Sequence, residues 1–153
     1  MNTNNLKFLS EGLIETFIQA GKESIKLYEK GLKIKIKNDR SPVSNGDLMV
    51  NEIITNKIKE LTPEIPIISE ETVDLKVKNK SKIFWLIDPI DGTKEYIVGK
   101  KEYTLNAALI INKIPALGLV GAPKMNRLFY SFGPGESYLL ENNKKLKISC
   151  EKK

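Results

Sequence analysis

With 153 residues, 41% of them hydrophobic and 29% charged, the chain is sized for a single water-soluble domain with its own core. Its longest apolar run, residues 107–111, is strand-sized and far short of the ~18 residues of a membrane span. The formal charge of +6 is carried by lysines spread along the chain, with Arg40 and Arg127 the only arginines. That argues against the clustered stripe of a nucleic-acid binder and suits small anionic substrates.

The N-terminal segment holds Glu11 and Glu15 inside its apolar pattern, so no signal peptide is expected. Leu6, Leu9, Leu13, Phe17, Ala20, Ser24 and Tyr28 recur every three or four residues and predict an amphipathic helix, with Gly31 as its stop. Residues 32–37, LKIKIK, alternate strictly and predict a strand with one side on a core. Residues 38–42 read as a loop. Ser44 followed three positions later by Asp47 predicts a variant capping box that opens a second helix. That helix carries Val50, Ile53, Ile54, Ile58 and Leu61 inward and ends before Pro63. Short apolar strands follow at 65–69 and 82–88, with the lysine-rich stretch 76–82 as a solvated loop between them.

From Tyr103 the period becomes two, with strands expected at 103–111, 114–120, 128–132, 137–140 and 146–149. Short turns join them, so the meander is antiparallel. The expected class is α+β: two N-terminal helices packed on a largely antiparallel sheet, in one domain over 1–149 with a tail at 150–153. Cys150, the single cysteine, cannot form an internal disulfide and suits a reducing cytoplasm. With no histidine in the chain, a zinc site or a Cys/His nucleophile is not expected.

Chemistry concentrates at DPIDGT, residues 88–93, where an apolar strand ends in two aspartates. Pro89 lacks an N–H and is expected to end the ladder, making Asp88 the strand's exit. Asp88, Asp91 and the Ile90 carbonyl can offer three hard oxygens to one small volume, the donor set of magnesium or manganese. The other apolar strand also ends in acids, Glu70 and Glu71, eighteen residues upstream of Asp88. If the strands are neighbours, the carboxylates meet at one sheet end and require cations among them. A helical turn starting at Thr93 could present backbone N–H groups to a phosphate. Taken singly, each motif also has a plainer reading: Asp47 as a cap, Glu70 and Glu71 as a surface loop.

These residues resemble the magnesium-dependent, lithium-sensitive phosphatase superfamily that includes inositol monophosphatases. DGTKEY (91–96) is similar to the DGTKEF of its bacterial 3'(2'),5'-bisphosphate nucleotidase branch, and SPVSNGD (41–47) to that branch's S-P-V-T-x-A-D. The resemblance runs from about Leu6 to Ser149, with Asn45 and Gly46 where alanines are usual. It implies the N-terminal half of the sugar-phosphatase fold, with Glu70, Asp88 and the Ile90 carbonyl on a first metal and Asp88 and Asp91 on a second. Thr93, steadied by Asp47, would orient the attacking water; Asp91, Gly92 and Thr93 would meet the phosphate; and Glu71 would tune the site from behind the metal ligands or through water. The implied reaction is removal of the 3'-phosphate of adenosine 3',5'-bisphosphate, in sulfur metabolism, with inositol phosphate as the alternative substrate. Two or three Mg2+ ions are implied, with Mn2+ as a substitute and Li+ inhibitory. The implied location is the cytoplasm, with association at the inner membrane as an option. The resemblance also implies a C-terminal α/β domain whose Trp-Asp-x-Ala-type motif completes the second metal site. That motif is absent here, so a half-site completed by another chain, a homodimer, or a non-catalytic metal- or phosphate-binding fragment are all expectations.

Overall fold

The computed structural model describes residues 1–72 and 81–149. Most of the expected lysine-rich loop at 76–82, and the tail at 150–153, therefore lie outside the described residues.

Helix α1, Thr3–Lys30, opens on Asn2, whose side chain accepts the Asn5 N–H at 2.9 Å, and closes at Gly31 with φ 96°. Its stripe of Leu6, Leu9, Leu13, Phe17, Ala20 and Ser24 is buried, as the spacing requires. Helix α2, Asn45–Leu61, starts on a complete capping box between Ser44 and Asp47 and buries Val50, Ile54 and Ile58. The two helices lie together on one face of a seven-stranded sheet.

That sheet runs in the order β3 (Ile67–Ser69), β4 (Ile83–Asp91), β5 (Thr104–Ile111), β6 (Ile114–Ala122), β7 (Arg127–Ser131), β8 (Ser137–Glu141) and β9 (Lys144–Lys147). β3 and β4 pair in parallel; every later pair is antiparallel, in a meander with short turns. Trp85, Ile87, Ala107, Leu109, Leu117, Leu119 and Leu128 point to the helices and are buried. The Trp85 indole N–H donates to Thr62 Oγ1 at 3.0 Å, which ties β4 to the end of α2. Alternate positions face away: Leu86 is 47% exposed and Val120 41%. A short helix, α3 (Thr93–Ile97), follows β4, so a helical turn does begin at Thr93.

Four expectations need correction. The 32–37 strand shrinks to β1, Ile34–Ile36, and no side of it reaches a core: Ile34 is 48% exposed and Ile36 67%. It pairs only with β2, Pro42–Ser44, in a ribbon apart from the main sheet. Alternation distinguishes two sides of a strand but does not supply a layer to cover one. Second, β2 takes up Pro42 and Val43, placing Pro42 first in a strand, where no ladder N–H is needed. Third, β4 does not stop at Asp88. Its pairing with β5 shifts register between Asp88 and Asp91, and the irregularity accommodates Pro89. The last strand also lies two residues earlier than the 146–149 expected.

Candidate functional site

The parallel pairing of β3 with β4 sets Ser69 beside Ile87 and so delivers Glu70 and Asp88 to one sheet end. The Glu70 N–H donates to the Ile87 carbonyl at 3.1 Å, which holds that register one residue past β3. Asp88 is half-buried, and its Oδ1 is shut off from solvent without a hydrogen-bond partner. Burial, then the charges of Glu70 and Asp91, raise its pKa from 3.8 to about 7. A buried carboxylate oxygen left unpaired is costly unless a proton or cation meets it.

Past the register shift, Asp91 is exposed at the end of β4, opposite Thr104. Gly92 follows at φ 88°, and a Cβ there would stand 2.9 Å from the Glu102 carbonyl, so only glycine fits. This turn aims Thr93 back at β4. Thr93 Oγ1 lies 2.8 Å from Asp47 Oδ1 and 3.1 Å from the Ile90 carbonyl, with one proton to give to either. The Ile90 side chain is in the core, so the carbonyl is the group it offers to the site.

Asp47 is buried and its two carboxylate oxygens serve different partners. Its Oδ2 accepts the Ser44 N–H at 2.8 Å and the Ser44 hydroxyl at 2.6 Å, closing the cap of α2. Its Oδ1 is left for Thr93, 46 residues along the chain. One carboxylate therefore joins α2 to α3.

Lys37, just beyond the outlying ribbon strand β1, is the residue that sequence reasoning missed. Its Nζ lies 2.7 Å from Glu71 Oε1 and 3.5 Å from Glu70 Oε1. The Glu71 side chain is only 6% exposed, so it is a buried partner of Lys37 as well as a neighbour of the strand end. Burial opposes the charge on Lys37, but its hydrogen bond to Glu71 and the two carboxylates outweigh this and raise its pKa. Nothing in LKIKIK distinguishes Lys37 from Lys33 or Lys35; only the fold picks it out.

Among the described residues, no three acidic side chains converge closely enough to hold a metal ion on their own. The orphaned Asp88 oxygen and the surrounding oxygen donors are what fit a hard cation. A cleft of about 140 Å³ lies elsewhere, between α1 and the β6–β7 turn, and none of these carboxylates lines it.

Comparison with known proteins gives these features a context. The 3'(2'),5'-bisphosphate nucleotidase CysQ of Escherichia coli (strain K12) is 38% identical over 122 residues, covering 78% of this chain and 49% of its own length. A crystal structure of CysQ from Bacteroides thetaiotaomicron, a bacterial member of the inositol monophosphatase family, superposes with a TM-score of 0.71 at 29% identity, covering 87% of this chain and 49% of that one. An IMPase/NADP phosphatase complexed with Mg2+ and phosphate shares the fold at 18% identity, with a TM-score of 0.76 over 88% of this chain and 51% of that one. The chain thus spans about half the length of the relatives it matches. The model of the inositol monophosphatase family matches residues 5–153, and the chain belongs to that family.

Proposed function

We propose that this chain carries the metal- and phosphate-binding half of a magnesium-dependent phosphomonoesterase, acting on a 3'(2'),5'-bisphosphate nucleotide such as adenosine 3',5'-bisphosphate. The observation that carries this is the buried, unpartnered Oδ1 of Asp88 among oxygen donors. Glu70, Asp88 and the Ile90 carbonyl would hold a first Mg2+, and Asp88 and Asp91 a second; Mn2+ would substitute and Li+ inhibit. The nucleotide substrate is supported by the likeness to CysQ nucleotidases.

When bound, Mg2+ supplies positive charge to the phosphoryl oxygens and lowers the pKa of water. The chain's own residues would do the rest. The Gly92 and Thr93 amides, with Asp91, would position the phosphate. With its hydroxyl proton given to Asp47, the nearer of its two acceptors, Thr93 would keep a lone pair to accept a hydrogen bond from the attacking water. Asp47 would accept the proton as the water oxygen bonds to phosphorus. The 3'-ester P–O bond would then break and the leaving oxygen would take a proton from solvent, giving AMP and phosphate. Glu71 would act indirectly, by holding Lys37 beside Glu70.

The absence of three converging acids among the described residues favours a second reading, a half-site completed by the portion its relatives possess and this chain does not span. Magnesium-dependent phosphate release from adenosine 3',5'-bisphosphate by this chain, with Asp88→Asn as control, tests both. Release that disappears in the variant supports a self-sufficient site; equal background from both proteins assigns catalysis to the completed protein. Inositol monophosphate, run alongside, tests the alternative substrate.

A further inference from the structure

Three helices meet at one phenol. Tyr96 lies three residues after Thr93 in α3 and is fully buried. Its hydroxyl donates to the Ser24 carbonyl of α1 at 2.7 Å. Its ring stands 4.9 Å from that of Tyr103, whose own hydroxyl is 2.9 Å from Ser24 Oγ. The phenol is therefore held from two sides. Its third contact is with the first turn of α2: a Cβ on Gly46 would lie 2.5 Å from Tyr96 Oη and 2.6 Å from its Cε1. Gly46 immediately precedes Asp47, the residue that receives Thr93. The ring thus separates the backbone carrying Asp47 from the helix carrying Thr93.

We propose that Tyr96, seated on Gly46, is a positioning residue that sets the 2.8 Å approach of Thr93 to Asp47. This rests on the reading of that pair given above, yet the two can fail separately. A methyl group at 46 cannot coexist with the phenol in its present place. With the hydroxyl held on Ser24 and the ring against Tyr103, the first turn of α2 must lift instead, and that displaces Asp47 from Thr93. Without its hydroxyl the ring is released from Ser24 and free to tilt away from a side chain at 46.

The test uses Gly46→Ala, Tyr96→Phe and the double variant, with crystal structures of each and calorimetric titration of inorganic phosphate in the presence of Mg2+. In Gly46→Ala, although alanine is the better helix former, the Asp47–Thr93 oxygen separation is expected to exceed about 3.5 Å. Phosphate affinity is expected to fall about tenfold, the loss of roughly one hydrogen bond to a charged group. The double variant should restore both. An unchanged separation in Gly46→Ala, or a displaced one that Tyr96→Phe leaves uncorrected, overturns the proposal. If Gly46→Ala does not fold, a folded double variant with the short separation supports it, and an unfolded one overturns it. Asp47→Asn, titrated in parallel, tests the underlying reading: phosphate binding indifferent to Asp47 removes its functional role while the separations still decide what Tyr96 does.

Discussion

Lys37 and Glu71, 34 residues apart in the chain, meet at 2.7 Å beneath the sheet end that carries Glu70 and Asp88. A lysine on an otherwise exposed ribbon thereby supplies the cation that a cluster of acids needs in the absence of metal. Removing it in Lys37→Met leaves Glu71 buried without a partner. Stability in metal-free buffer should drop by about 1–2 kcal/mol, less than for a fully buried pair because Lys37 is a quarter exposed. Chemical denaturation with and without Mg2+ checks this, and Mg2+ should stabilise the variant more than the parent. Equal stability of the two proteins would mean that the ion pair is idle.

The pH dependence follows from Asp88. Its pKa is raised in the fold, from 3.8 to about 7, so the folded state holds a proton that the unfolded chain releases more readily. Its stabilising contribution is fully present below about pH 4 and is lost as pH rises through 7. Mg2+ competes with that proton, so metal affinity should strengthen over the same interval. Melting temperatures from pH 4 to 8 should fall with pH in metal-free buffer and fall less steeply with Mg2+, and Asp88→Asn should flatten the metal-free curve. A metal-free parent that gains stability across this range through Asp88 contradicts the assignment.

Ser44 and Asp47 separate structure from chemistry. Ser44→Ala removes the side-chain half of the cap and should cost about 1 kcal/mol of stability. Since Thr93 keeps its partner, phosphate release by the catalytically complete protein should persist. Thr93→Val is nearly isosteric and leaves the cap untouched, yet should lower that release by about a hundredfold or more. Comparable losses from the two changes would show that the pair has no role apart from folding.

Gly92 is constrained in both conformation and space. Alanine there meets φ 88° and the Glu102 carbonyl at 2.9 Å together, so Gly92→Ala should destabilise by about 1–3 kcal/mol. Urea denaturation measures it directly. A neutral substitution would show that the Asp91–Thr93 turn tolerates a different path.

How much of this could be read from residues alone depends on the range of the interaction. The α1 stripe, the Ser44–Asp47 cap, the meander after Tyr103 and the helical turn at Thr93 are all local: periodicity, capping and turn chemistry operate over a few residues. The acidic motifs were legible for the same reason, as short strings ending apolar strands. The sequence also marked Glu70 and Asp88 as possible neighbours, conditional on their strands pairing, and the parallel register of β3 with β4 brings them together.

What only the tertiary structure decided lies in contacts between distant segments. No short-range pattern says that β1 would stand apart from the sheet, so the strict alternation of 32–37 predicted a buried side of which only Leu32 packs on the core while Ile34 and Ile36 are exposed. None selects Lys37 among its lysine neighbours or leaves one oxygen of Asp88 unpaired. Nor does any local rule join Gly46 to Tyr96, fifty residues on, where a missing Cβ makes room for a phenol. Alternation and capping are set by backbone geometry within one element; packing distances are set by the several elements that must share a volume, and that is fixed only when the chain has folded.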